Sequence, residues 1–298
     1  MATQLEFSHH NHDFLLSLLL VIFVNVADKT GECEANPSFM LLNCAPACQT
    51  CDFISFETRC PFDDYDAGAW QPGDLDAMFQ RITVEYAETV TVLSGDPWII
   101  QLDDFLTSDE CQTLIELGGI QGYQRSEDVG ELNFDGTQTS VQSEGRTSEN
   151  AWCEKECFTH PTTGRVLKKI ETLTNIPDAN GEHLQLLRYK EGQFYERHHD
   201  YIELDMERPA GVRMLTVFLY LNTVEKGGGT NFPLVKNVTV QPKMGRAVLW
   251  PSVLNDDPHK VDDRTMHQAL PVKEGVKYGA NAWIHQRDFK TPHEKGCT

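Results

Sequence analysis

The chain has 298 residues, 40% hydrophobic and 23% charged, which is long enough for one large domain plus a small module and too apolar for wholesale disorder. Its formal net charge of -20 repels phosphate backbones and argues against nucleic acid as a partner. The same acidity suits solubility or a basic peptide partner. In chain order, the first feature is an apolar run, Phe14 to Ala27. It is shorter than the roughly 20 residues a spanning helix needs, and the segment before it carries His9, His10 and His12 but no Lys or Arg. Two readings stand: a signal peptide over residues 1–27, or an uncleaved signal anchor. Both send the chain into the secretory pathway, to the endoplasmic reticulum lumen or Golgi, with membrane anchoring through residues 14–27 or secretion as the variants.

Cys33, Cys44, Cys48, Cys51 and Cys60, five of the nine cysteines, follow closely. Dense cysteines after a secretory signal read as a disulfide framework, with a zinc site at the Cys48–Cys51 C-x-x-C pair as the alternative. Residues 31–51, GECEANPSFMLLNCAPACQTC, resemble the C-terminal two thirds of a ShK-type toxin domain, whose first two cysteines are missing here. The resemblance implies a Cys33–Cys48 bridge and leaves Cys44 and Cys51 without their family partners; Cys60 is unassigned. Residues 52–97 read as a linker carrying a short helix near Leu75 to Arg81.

A catalytic domain is expected over 98–289, with 290–298 as a tail. It opens with a strand at Trp98, then a capping box, Thr107 to Glu110, heading a helix that ends at Gly118-Gly119. Residues 120–150 are polar and read as long loops; Cys153 and Cys157 are close enough to pair with each other. A second helix is predicted near Thr163 to Thr174. From Leu184 onward, short apolar strands alternate with Gly, Pro, Asn and Asp turns: 184–189, 213–221, 238–241, 246–250 and 278–285. The predicted fold is α+β, mainly β: a double-stranded β-helix, or jelly roll, with helices packed outside and a small Cys-rich segment in front. Asn237 begins a glycosylation sequon.

The densest chemistry is Tyr195-Glu-Arg-His-His-Asp-Tyr201. In an extended segment alternate side chains share a face, so His198 and Asp200 converge and His199 turns away. H-x-D alone is a weak signal. A third histidine from a distant strand would complete a 2-His-1-carboxylate triad, diagnostic of non-haem iron(II) oxygenases. Of the downstream histidines, His259 sits in a polar stretch and His285 has little chain after it. His267 is followed ten residues on by Lys277, a cation suited to the far carboxylate of a dicarboxylate cosubstrate.

With those residues in place, the chain from about Trp98 to Phe289 resembles the catalytic domain of plant and algal prolyl 4-hydroxylases, 2-oxoglutarate- and Fe(II)-dependent dioxygenases. The matching stretches are RTSENAW, LQLLRYKEGQFYERHHDY, RMLTVFLYLNTVEKGGGTNFP, VQPKMGRAVLWPS and TMHQALPVKEGVKYGANAWIH. The resemblance implies that His198, Asp200 and His267 are the catalytic iron ligands and that Lys277 pairs with the C5 carboxylate of 2-oxoglutarate. It further implies that Tyr189 and Thr230 hydrogen-bond that carboxylate, that Trp283 lines the cosubstrate site, and that Tyr195, Arg213 and His285 bind the peptide. Where relatives carry a cysteine after the distal histidine, this chain reads Gln-Ala-Leu-Pro-Val, which touches no ligand. The implied activity is 4-hydroxylation of proline in Pro-rich peptides, using O2 and 2-oxoglutarate, releasing succinate and CO2, with ascorbate as reductant. Two rivals remain: an oxygenase of the same cofactors acting on another residue or a small molecule, and a secreted Cys-rich binding protein with an inert oxygenase domain.

Overall fold

The computed structural model of the chain describes residues 55–61, 68–132, 138–236 and 238–298, together with Gly31, Cys33, Met40 and Cys48. The apolar run 14–27, most of the 31–51 segment including Cys44 and Cys51, and the sequon residue Asn237 lie outside the described residues. The helices are α1 (Phe56–Arg59), α2 (Asp74–Glu85), α3 (Ser108–Gln121), α4 (Lys155–Thr159), α5 (Pro161–Thr174) and α6 (Lys290–Glu294). The first eight strands are β1 (Val90–Gly95), β2 (Trp98–Leu102), β3 (Gln124–Arg125), β4 (Asp128–Leu132), β5 (Gln138–Val141), β6 (Glu149–Trp152), β7 (Gln185–Tyr189) and β8 (Tyr195–His198). The rest are β9 (Arg213–Tyr220), β10 (Lys226–Gly227), β11 (Thr230–Phe232), β12 (Val238–Val240), β13 (Ala247–Pro251), β14 (His267–Ala269), β15 (Val272–Glu274) and β16 (Lys277–His285).

An eight-stranded sheet runs β1-β2-β13-β9-β16-β7-β6-β3, and a four-stranded sheet runs β12-β11-β14-β8. Successive strand residues face opposite sides, and the large sheet buries both. Leu186, Val217, Leu219, Leu249, Ala280 and Ala282 point outward into a core shared with Phe79 and Ile82 of α2, Leu114 of α3, and Val166 and Leu173 of α5. Ile99, Leu187, Phe218, Tyr220 and Trp250 point inward, against Phe232 and Val240 of the small sheet. The Phe232 and Trp250 rings meet edge to face at 5.2 Å. This is the expected jelly roll with helices outside.

Thr107 caps α3 as expected: its hydroxyl accepts from Glu110 N, and the Glu110 carboxylate accepts from Thr107 N. The helix does not stop at Gly118-Gly119 but runs to Gln121. Gly118 is there because a β-carbon would fall 2.3 Å from the Tyr123 hydroxyl, so it serves packing rather than termination. Pro161 at the first position of α5 starts that helix two residues before the predicted one.

Three boundaries move. The predicted linker 52–97 contains α2, which buries Leu75, Met78, Phe79 and Ile82, and β1, which pairs with β2. The folded unit therefore begins well before Trp98. The polar stretch 120–150 holds β3 and β6 on the edge of the large sheet and a separate β4–β5 hairpin. Polar composition concealed these strands because only one residue of β6, Ala151, is buried. The predicted tail carries α6 and the buried Cys297, which is bridged to Cys60. Cys33–Cys48 and Cys153–Cys157 also pair as expected, and among the described residues Cys111 is free and buried. Among the described residues no helix is long and apolar enough to cross a membrane.

The Cys60–Cys297 bridge spans 237 residues, so it removes many conformations from the unfolded chain. Replacing Cys297 with Ser should lower unfolding stability by about 2–5 kcal/mol. The urea midpoint checks this; an unchanged midpoint would show that the bridge does not constrain the unfolded state.

Candidate active site

Strands β8 and β14 of the small sheet are antiparallel with His198 directly opposite His267. The two rings lie 4.3 Å apart at an angle of 61°. Asp200, two residues beyond His198, lies on the same face, and its Oδ2 is 3.5 Å from His267 Nε2. The three side chains present their ligand atoms within 4.8 Å of one another. His199 turns to the other side as predicted, and its Nε2 meets the Asp262 carbonyl at 3.0 Å and the Thr265 hydroxyl at 3.1 Å.

Each ligand is oriented from behind. His198 Nδ1 sits 2.7 Å from the Glu196 carbonyl and His267 Nδ1 sits 3.1 Å from the Thr265 carbonyl. A carbonyl only accepts, so both Nδ1 atoms carry the proton and both Nε2 lone pairs face the common point. The Thr216 hydroxyl donates to Asp200 Oδ2 at 2.6 Å. Burial, reinforced by His267, pushes the His198 imidazole down to about 3, and burial likewise lowers His267. Burial opposes the Asp200 charge, but the two imidazoles and the Thr216 hydroxyl outweigh it and hold the carboxyl at about 2. Two neutral imidazoles and one carboxylate are the ligating forms, and this donor set fits divalent iron with further positions open.

A narrow cavity leads from the triad into the space between the sheets. It is lined by Tyr189, Phe218, Thr230, Trp250 and Lys277 beside the three ligands. Lys277 stands opposite Tyr189 in the β16–β7 pair and is 1% exposed. Among the described residues its ammonium has no hydrogen-bond partner, and it lies 4.9 Å from the ring centres of Tyr189 and Phe218. Burial pulls its pKa down to about 7. An unpaired buried cation of this kind fits the far carboxylate of a dicarboxylic acid whose other end reaches the metal. Thr230 is delivered by the turn Gly227-Gly228-Gly229. Gly227 has φ +81°, and a β-carbon there would fall 2.3 Å from the Pro271 carbonyl oxygen. The Thr230 hydroxyl accepts from Tyr220 Oη at 2.7 Å, which leaves the hydroxyl hydrogen free to donate into the cavity.

The remaining predicted residues divide. Tyr195 stacks on His198 at 3.6 Å and donates to Asp128 Oδ1 at 2.9 Å. Trp283 does not line this cavity; its ring lies 3.8 Å beneath the Arg213 guanidinium. Arg213 and His285 line a neighbouring cavity of about 290 Å³. Both are tied to Glu182, a buried carboxylate: Arg213 Nη2 donates to its Oε2 at 3.1 Å, and His285 Nε2 lies 2.8 Å from its Oε1. His285 Nδ1 is held by the Gly211 carbonyl at 2.7 Å. With both nitrogens engaged inside the protein, His285 braces Glu182 and Arg213 and has no group left for a peptide.

Sequence reasoning missed Glu182, Thr216, Asp128 and Arg146. Arg146 covers the Tyr195 ring at 4.6 Å and donates to the Gln185 side chain at 3.0 Å. Only Thr216 left a readable signal, as the one aliphatic hydroxyl within the largely apolar strand β9. Its removal by Thr216→Val keeps the volume and deletes the hydrogen bond to Asp200. Divalent-metal affinity should fall by about 10–100-fold with an unchanged far-ultraviolet circular dichroism spectrum. Equal affinity in a metal titration would show that Asp200 needs no such support.

Residues 184–285 match the 2OG-Fe(II) oxygenase superfamily. Probable prolyl 4-hydroxylase 7 of Arabidopsis thaliana is 33% identical over 230 residues, covering 70% of this chain and 69% of that protein. Prolyl 4-hydroxylase 2 of the same plant is 34% identical over 233 residues, covering 70% and 75%. Among solved structures, the 2OG complex of the viral collagen prolyl hydroxylase from Paramecium Bursaria Chlorella virus-1 is similar at 28% identity and a TM-score of 0.50, covering 63% of this chain and 95% of that one. The pairing of His198 with His267, the buried Lys277 behind them and these relatives together identify the chain as a member of the prolyl 4-hydroxylase family of 2-oxoglutarate- and Fe(II)-dependent dioxygenases.

Proposed function

We propose that the protein hydroxylates C4 of proline in Pro-rich peptides within the secretory pathway, with iron(II) on His198, Asp200 and His267 and ascorbate as reductant. The observation that carries this reading is the orphaned Lys277 ammonium buried in the same cavity as the triad. Iron(II) with bound 2-oxoglutarate would activate O2, the oxidant, so that one oxygen atom enters the proline C–H bond and the other enters succinate as CO2 leaves. The chain's own residues hold and shield the reactants. Lys277 neutralises the C5 carboxylate, and Thr230 and Tyr189 offer hydroxyl groups to the same end. Phe218 and Trp250 exclude water around it. In this reading Tyr195 and Arg213 meet the peptide, which the stacking of Tyr195 on His198 and the position of Arg213 in the adjoining cavity support. A polyproline II peptide loses little conformational freedom on docking among such aromatic side chains. The Cys33–Cys48, Cys60–Cys297 and Cys153–Cys157 bridges support an oxidising compartment.

The deciding assay combines purified protein, iron(II), 2-oxoglutarate, ascorbate and a panel of Pro-rich peptides, with hydroxyproline read by mass spectrometry. Hydroxyproline that disappears in His198→Ala is the expected result. Succinate formation on another substrate, with no proline peptide modified, would overturn the prolyl reading and leave the oxygenase intact.

The position of Lys277 makes two further predictions. Free Lys277 loses its proton near pH 7, while a bound carboxylate requires the charged form. Affinity for 2-oxoglutarate should therefore weaken as pH rises above about 7, by up to roughly tenfold per unit. Calorimetry across pH 7 to 9 checks this, and a flat profile would exclude Lys277 as the anchor. Lys277→Met should abolish 2-oxoglutarate-dependent turnover yet stabilise the ligand-free protein by about 1–3 kcal/mol, because it removes an unpaired buried amine. Thermal unfolding without 2-oxoglutarate reads that sign.

A further inference from the structure

A second group of metal-type side chains lies outside the triad. Glu154, His183 and His293 bring a carboxylate oxygen and two ring nitrogens within 4.8 Å of one another. All three line the cavity of about 290 Å³ that also holds Arg213, Glu182 and His285. They come from three separate parts of the chain. Glu154 precedes α4, inside the short loop closed by Cys153 and Cys157. His183 leads into β7. His293 lies on α6, four residues before Cys297 and its bridge to Cys60. Two disulfides thus hold the backbone on either side of the group.

The side chains are free to ligate. Among the described residues neither the Glu154 carboxylate nor a His183 ring nitrogen has a hydrogen-bond or ion-pair partner. His293 Nδ1 meets the Thr298 hydroxyl at 2.7 Å, which leaves Nε2 as its free nitrogen. The His183 ring is held edge-on against Phe158 at 4.7 Å and faces the His293 ring at 5.5 Å. Lys290, whose charge acts on His183, is paired with Asp178.

We propose that Glu154, His183 and His293 bind a divalent transition metal of the zinc class, with a fourth coordination position facing the cavity. Two imidazoles and one carboxylate are a zinc ligand set, whereas calcium and magnesium take oxygen ligands. Zinc bonds of about 2.1 Å place neighbouring ligand atoms about 3.4 Å apart, and these atoms already lie within 4.8 Å of one another. The metal would join α6 to the body of the protein and order one wall of the cavity beside Arg213. Its open position would take water, or a carboxylate or imidazole of a molecule lying in that cavity.

The experiment counts zinc in chelator-stripped protein dialysed against micromolar Zn²⁺. Because the triad also takes zinc, the count is made in the wild type and in a His198→Ala, His267→Ala variant. The wild type should hold about two equivalents and the triad variant about one. Adding His183→Ala and His293→Ala should remove the remaining equivalent. Glu154→Gln, which keeps the side-chain shape, should weaken zinc at least about tenfold in the triad variant, read by competition with a chromogenic chelator. That substitution decides the matter if the histidine changes disturb α6. A triad variant that binds no zinc, or one whose zinc affinity is unaltered by both Glu154→Gln and the histidine changes, overturns the proposal. The triad is absent from the decisive measurements, so either result leaves the oxygenase reading untouched.

Discussion

The register between β8 and β14 is the constraint on which the site depends. Placing His198 opposite His267 sets two imidazoles on one face of the small sheet. The alternation of the strand then brings Asp200 to that face and sends His199 behind it. A slip of one residue would exchange His199 for His198 and separate the ligands. The carbonyls of Glu196 and Thr265 and the hydroxyl of Thr216 fix the three side chains, so the register is converted into defined lone-pair directions.

The large sheet explains why such polar chemistry survives between two apolar layers. Its outer face is covered by α2, α3 and α5, and the larger apolar core lies between them and the sheet. The inner face is thereby left to hold Lys277 and Thr216 beside Phe218, Tyr220 and Trp250, with Thr230 opposite them on the small sheet. An unpaired buried ammonium destabilises the fold that contains it, and the destabilisation is relieved when a carboxylate arrives. The cavity is preorganised for that charge, and stability is lower where function needs it.

Much of this was legible in one dimension. The jelly-roll strands announced themselves by apolar runs between Gly, Pro, Asn and Asp turns. The α3 cap was readable from Thr107 and Glu110. The elements that escaped were those whose burial is decided by partners. The polar strands β3 to β6 owe their pairing to neighbours rather than to hydrophobic alternation. α2 and α6 belong to the folded unit because of what they dock against and, for α6, because Cys297 reaches back to Cys60.

The sequence alone determined the ligand types and their local geometry. H-x-D in an extended strand puts a histidine and a carboxylate on one side, and a third histidine followed ten residues later by a lysine names a metal and a dicarboxylate. Those are short-range consequences of backbone periodicity and side-chain chemistry. Only the tertiary structure decided the long-range pairings. It placed Glu182 between Arg213 and His285, which turned an expected peptide contact into an internal brace. It put Trp283 under Arg213, away from the cosubstrate cavity. It also gathered Glu154, His183 and His293, which are distant in sequence and carry no motif. Such groupings depend on how sheets and helices pack, and spacing along the chain does not encode the packing of distant segments.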